Sequence, residues 1–208
     1  MKNIFWLFFL PILVFSQTAE DITLKTEAKL RSFRSLQADF KQVYYSSTVS
    51  TPLEEEGRLY LKKPGWMKWE YRKPEKKFFL IKDTLYQEYY VEEKQLIEKT
   101  FSDEANEAEV LSLLAGKRGI LENYSVELNP FPTENSNVFQ IKLTPLIEEA
   151  DSFILLEIDA KTWLIKKVIS FDWTGNKQEF HFSRIEINKN FPNDTFELDI
   201  PADVEIIK

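Results

Sequence analysis

The chain has 208 residues, a formal net charge of −7 at pH 7, one histidine and no cysteine. Its acidic balance disfavours nucleic acid and anionic headgroups as main partners, because both repel negative charge. Without cysteine there is no disulfide framework and no acceptor for N-terminal lipid attachment, so packing and sheet hydrogen bonds must hold the fold.

Met1, Lys2 and Asn3 precede an apolar run from Ile4 to Phe15, broken by Pro11 and followed by Ser16. A basic start, a run too short for a bilayer and a small residue at its end predict a cleavable secretory signal over 1–16. Residues 17–208 are then a single domain large enough for its own core. "TAEDITLKTEAKLRSF" places Ala19, Ile22, Leu30 and Phe33 on one helical face, with Thr18 as N-cap and Glu20 and Asp21 at the positive end of the helix dipole. From Leu36 the period becomes two, with Leu36, Ala38 and Phe40 opposite Gln37, Asp39 and Lys41. The loop "STVSTPLEEE" leads to a hairpin, "GRLYLKKPGWMKWEY", whose turn Lys63-Pro64-Gly65-Trp66 carries a type II signature.

Strands follow in "KFFLI", "LYQEYY" and "QLIEKTF". A second helix, "SDEANEAEVLSLLAG", groups Val110, Leu111, Leu113 and Leu114 and stops at Gly116. Strands resume with "YSVELN", "VFQIKLT", "FILLEI", "LIKKVISFDW" and "KQEFHFSRIEI", the last two joined by a tight turn at Thr174-Gly175-Asn176. Alternation slips near Ser183 and Arg184, which predicts a bulge. The tail "NDTFELDIPADVEIIK" adds one short strand. About ten antiparallel strands with two helices predict a mainly β, α+β fold, one sheet with helices on one face.

Catalytic patterns are sparse. His181 alternates with Phe180 and Phe182, shares a face with Glu179, and has neither a triad partner nor a second metal ligand. The acidic runs at Glu54-Glu55-Glu56, Glu92-Glu93 and Glu148-Glu149 read as solvated loops rather than paired catalytic carboxylates. Five glycines supply no phosphate-cradling loop, and no nucleophile elbow occurs. The expectation is a protein without enzymatic activity, cofactor or metal.

Aromatic content is the positive signal: 17 Phe, 8 Tyr and 5 Trp, part of it in the leader. A ring-rich core is the plain explanation. Two modest helices, however, cannot fill the concave side of a broad curved sheet. The space left is a candidate apolar pocket lined by Phe40, Leu59, Leu61, Met67, Trp69, Tyr71, Phe78 or Phe79, Phe153 and Phe171, suited to hydrocarbon.

"LQADFKQ", "GRLYLKKPGWMKWEYRKP", the spaced residues Asp172, Gly175, Asn176 and Asn188, and a closing "F.L.IP..V" resemble, in order over nearly all of 17–208, the LolA family of periplasmic lipoprotein carriers. The resemblance implies an incomplete β-barrel of eleven strands, its concave face covered by a helical lid. It implies a periplasmic monomer whose cargo is acylated outer-membrane lipoproteins. The cargo would come from a LolCDE-type ABC exporter in the inner membrane and go to LolB or an equivalent outer-membrane acceptor. The missing cysteine separates the chain from the lipidated LolB receptors. Lys63 matches the family's basic residue before the proline, usually arginine, which bonds lid-helix carbonyls and holds the lid shut. Lysine lacks arginine's planar fork, so a looser hold or different carbonyls are expected. Met67 and Trp69 match apolar positions at the cavity mouth and inside. The lid would comprise the helices carrying Ile22, Leu30 and Phe33 and carrying Val110, Leu111, Leu113 and Leu114. Rival readings are a LolA-like carrier of another lipid or acylated product, a structural β domain with an ordinary core, and a secreted hydrolase using surface acids.

Overall fold

Strand after strand, apolar side chains alternate with polar ones, and hydrogen bonding joins them into one twelve-stranded open sheet. The computed structural model describes residues 17–100, 113–114, 119–129, 137–147 and 152–208. The predicted signal at 1–16 and most of the second predicted helix, with Val110 and Leu111, lie outside the described residues. The strands are β1 Ser35–Tyr45, β2 Leu53–Lys62, β3 Trp66–Lys73, β4 Lys77–Lys82, β5 Leu85–Tyr90 and β6 Gln95–Thr100. They continue as β7 Tyr124–Leu128, β8 Val138–Pro145, β9 Phe153–Asp159, β10 Ile165–Phe171, β11 Lys177–Ile187 and β12 Glu205–Ile207. The order across the sheet is β12-β6-β5-β4-β3-β2-β1-β11-β10-β9-β8-β7, so β1 meets β11 in the middle and the two ends stay unjoined.

Curvature has local causes. The register shifts between Gln37 and Asp39 where β1 meets β11, between Glu56 and Gly57 where β2 meets β3, and between Ile165 and Lys167 where β10 meets β9. Each irregularity bends its strand and raises the twist. The predicted slip near Ser183 is the first of these, with Arg184 at φ 47.

Helix α1, Ala19–Ser32, begins where predicted: Thr18 accepts a hydrogen bond from the Asp21 amide at 3.1 Å. It buries Ala19, Ile22, Thr23, Thr26, Glu27 and Leu30. The hydroxyls of Thr23 and Thr26 donate to the carbonyls of Ala19 and Ile22 at 2.7 and 2.9 Å, so burying them leaves no donor unpaired. Phe33 is no longer helical but is buried in the same core. A short helix, α2, spans Ile120–Asn123.

Three expectations change. The turn at Lys63-Pro64-Gly65-Trp66 is not type II, because that turn needs positive φ at its third residue, and among the described glycines only Gly175 has it, at 82°. The β10–β11 connection is a tight hairpin, but its turn lies one residue earlier than expected, over Asp172–Gly175: the Gly175 amide donates to the Asp172 carbonyl and the Asp172 amide to the Asn176 carbonyl, both at 3.1 Å. Asp172 organises it by accepting hydrogen bonds from the amides of Thr174 and Asn176, both at 2.9 Å. Finally, the sheet is not wholly antiparallel, since β12 pairs parallel with β6.

That last strand ends a strap over the convex face. Phe196, in a 3-10 turn at Asn193–Phe196, packs 5.6 Å from Trp66 and from Phe191, and Lys68 donates to the carbonyls of Thr195 and Glu197 at 2.9 and 3.1 Å. Leu80, Tyr89 and Leu96, which face outward on β4 to β6, are buried. The sheet therefore buries apolar side chains on both faces of its β3–β6 half.

Candidate functional site

Strand pairing stacks the inward side chains into rungs. Leu36, Leu61, Met67 and Ile81 make one, and Ala38, Leu59, Trp69 and Phe79 the next. In the third, Phe40 faces Gly57, which faces Tyr71. A Cβ at residue 57 would collide with the Glu70 carbonyl oxygen and stand 2.6 Å from the Phe40 ring, so only glycine lets that ring lie across β2. Phe40 meets Trp69 and Tyr71 edge to face, each with centroids 4.8 Å apart, and Trp69 lies 5.3 Å from Phe180. Phe180 and Phe182 belong to this cluster by the same period of two that sets His181 outside.

The predicted lining thus divides. Phe40, Leu59, Leu61, Met67, Trp69 and Tyr71 come together in one buried cluster, Leu59 with no exposure at all, and Phe79 packs against it. Phe78, Phe153 and Phe171 do not. Phe78 falls in the outward rung between Glu70 and Tyr89 and stacks on Tyr89. Phe153 and Phe171 are paired residues whose rings stack at 4.4 Å with the Lys142 ammonium 5.1 Å from Phe153. Their neighbours Ile154 and Val168 take the inward positions, so alternation sends these rings to the convex face.

The helical cover joins the same core. Ile22, Leu30 and Phe33 are buried in it, as are Leu113 and Leu114, which are helical. Two polar devices fix this cover. The Lys63 ammonium donates to the carbonyl of Leu30, in the last turn of α1, and stands 4.3 Å from the Phe33 ring centroid. The Lys63 amide also donates to the Arg34 carbonyl at 2.9 Å. A cation is favoured at a helix C-terminus, where carbonyls lack partners. Burial, with the nearby Arg31 charge, pushes the Lys63 pKa below its ordinary value. The second device was not foreseen from sequence. The buried Glu27 accepts hydrogen bonds from the Ile120 amide and, at 3.4 Å, from the Leu121 amide, while it also receives Arg31 at 3.1 Å. Gly119, at the N-cap of α2, has no capping side chain, and Glu27 fills that role from α1. An acidic residue four before Arg31 was the visible signal, but it reads as an ordinary surface pair.

One family model matches residues 31–199, that of the outer membrane lipoprotein carrier protein LolA. The chain belongs to the LolA family. Among curated relatives, the outer-membrane lipoprotein carrier protein of Methylococcus capsulatus is 26% identical over 208 residues, covering 98% of this chain and 97% of the relative. That of Coxiella burnetii is 22% identical over 204 residues, covering 98% and 93%. Solved structures share the fold. An uncharacterized conserved protein from Thermus thermophilus superposes with a TM-score of 0.58 at 12% identity, covering 91% of this chain and 98% of that one. The Pseudomonas aeruginosa MucA/MucB complex gives 0.50 at 14%, covering 87% and 61%.

This LolA-family chain places a cluster of charged groups around Glu179 on the convex face. His181 pairs with Glu179 at 2.9 Å, and Lys167 and Lys177 reach the same carboxylate at 2.9 and 2.8 Å. Burial would raise the Glu179 pKa, but the hydrogen bonds from Lys177, Lys167 and His181 outweigh it and hold it at about 2. Asp39 lies between Arg58 and Arg184, which bridge the bulge. Of the acidic runs, Glu54 pairs with Lys41 and Glu56 with Lys73, while Glu55 points inward to Lys77. Among the described residues no three His, Asp or Glu side chains are grouped to hold a metal, and no helix is long and apolar enough to cross a membrane.

Proposed function

We propose that this chain is a periplasmic carrier, exported by residues 1–16, that hides the acyl chains of outer-membrane lipoproteins inside its half-barrel. One observation carries the reading: the inward rungs around Leu59 and Trp69 are apolar, buried, and covered by helices whose attachment includes a single lysine bond at Leu30. A permanent core has no use for a cover tied by a bond that water can replace. A reversible one does.

In this mechanism the closed cover competes with cargo. Ile22, Leu30 and Phe33 occupy apolar surface that a hydrocarbon chain takes over when the cover swings away. Each methylene transferred from water into such a site contributes about 0.8 kcal/mol, so a whole chain is worth on the order of 10 kcal/mol. Displacing the cover's own contacts subtracts from that gain and keeps cargo releasable. Lys63 biases the cover shut, the exporter supplies the energy at the inner membrane, and LolB or an equivalent acceptor receives the cargo. No bond is made or broken.

Met67 tests this directly. It is buried between Leu61 and Ile81, beneath the cover. Met67→Glu puts a charge where acyl chain would lie, so lipoprotein release from inner-membrane vesicles should fall about tenfold or more while the sheet signal in circular dichroism persists. Met67→Leu should release normally. Mass spectrometry of what copurifies with the wild-type chain should find triacylated lipoprotein; a different lipid class there would replace the cargo, and full release by Met67→Glu would remove the cavity.

A further inference from the structure

On the β1–β4 side the interior changes character at one level, while across β11 and β10 the same level stays apolar, with Phe180 opposite Gln42 and Val168 opposite Phe180. From the Lys63 bond down to Phe40 the inward side chains of β1 and β2 are apolar, but the next step along these strands places Gln42 opposite Glu55, both buried. The Tyr71 hydroxyl donates to Gln42 at 2.6 Å, and Lys77, paired with Tyr71 across β3 and β4, reaches Glu55 at 2.6 Å. The Lys77 ammonium also stands 4.6 Å from the Tyr71 ring centroid. The side chains of Lys77 and Glu55 are only 20% and 10% exposed, so this ion pair on the inward face lies largely out of water. Stability does not account for it, because apolar replacements of a buried pair commonly leave a fold equally stable or more so.

We propose that the Glu55–Lys77 ion pair and the Tyr71–Gln42 hydrogen bond form a polar floor that sets the longest hydrocarbon chain the carrier holds. The inference rests on the carrier reading and adds a specificity rule to it. Methylenes lying along the apolar rungs gain by leaving water. A methylene that reaches the floor must strip a partner from a buried charge, and dispersion contacts do not repay that loss. Phe40, lying across Gly57, forms the last apolar surface above the floor on the β1–β2 side, and Phe180 stands beside the floor on β11. Affinity therefore rises with chain length only until the chain end arrives there.

A homologous series of saturated N-acyl dipeptides, competing against a bound fluorescent fatty acid, reads this out. For the wild type, affinity should rise about fourfold per methylene and then level off at a definite length. In Glu55→Leu/Lys77→Leu the levelling should move to longer chains with short-chain affinities unchanged. The charge-swapped Glu55→Lys/Lys77→Glu keeps the floor polar and should level off where the wild type does. Should the leucine pair disturb folding, as shown by circular dichroism, Tyr71→Phe/Gln42→Leu opens the other half of the floor and should shift the same way. Levelling at an unchanged length in a folded apolar variant overturns the floor, as does a wild-type affinity that never levels. Failure of every chain length to bind the wild type rejects the carrier reading itself and the floor with it.

Discussion

Glu179 accepts hydrogen bonds from Lys167, Lys177 and His181 on the convex face, and its behaviour in acid is decided there. Its pKa, about 2 against an ordinary 4.5, lies below the value it has in the unfolded chain. Between those values the unfolded state binds more protons, so stability rises with pH across that window and is fully present above it. Lowering pH from about 4.5 towards 2 removes the contribution. Glu179→Gln should therefore be less stable than wild type near neutrality and lose less stability on acidification, measured by urea unfolding at a series of pH values. Parallel wild-type and variant curves would detach Glu179 from the acid response. This site was half legible in the sequence: alternation put His181 outside with Glu179, but the convergence of Lys167 from a neighbouring strand depends on register.

At the level of elements, the cover is secured at two points within one turn of the C-terminal half of α1, at Glu27 and at the Leu30 carbonyl. Lys63, from the β2–β3 turn, caps the C-terminus of α1, and Glu27, from α1, caps the N-terminus of α2. Each element supplies what another lacks, so the two hydrogen bonds tie α1 to the β2–β3 turn on one side and to α2 on the other. Lys63→Leu removes a charge-assisted hydrogen bond at a helix end and leaves the Leu30 carbonyl unpaired. Part of that loss is offset, since the Lys63 ammonium is desolvated and faces Arg31. A net effect of about 1–2 kcal/mol follows, roughly tenfold more open cover. Binding of a hydrophobic dye to the empty protein should rise accordingly, and Lys63→Arg should lower it because the planar fork can engage more than one carbonyl. Unchanged dye binding in both would assign the hold to Glu27 and apolar packing.

For the whole molecule, the open sheet has two differently covered faces. A C-terminal strap seals the convex side of β3–β6 through Phe196 and ends in β12, whereas helices cover the concave side. The strap shares a sheet edge with β6 and so belongs to the permanent fold; the helices share no ladder with the strands. Ligand should therefore act on the concave side alone. An acylated peptide at about one hundred times its dissociation constant should stabilise the native state by about 2.7 kcal/mol, raising the melting temperature, while the same peptide without its chain should leave it unchanged. Equal melting curves would favour a plain structural domain.

Nearest-neighbour chemistry controls the features that could be read directly from the residues: the Thr18 cap, the strand periods, the bulge near Ser183 and the ring-rich face of "GRLYLKKPGWMKWEY". Those features depend on backbone propensity and on a period of two, both local. Family resemblance added a helix carbonyl as the partner of Lys63. Long-range packing settled the rest: which of Phe78 and Phe79 turned inward, why Phe153 and Phe171 turned out, and how Glu27 found Ile120. A strand's period leaves open which of its two faces is the concave one, and only pairing with a neighbour of known face, such as Trp69 beside Phe79, makes that choice.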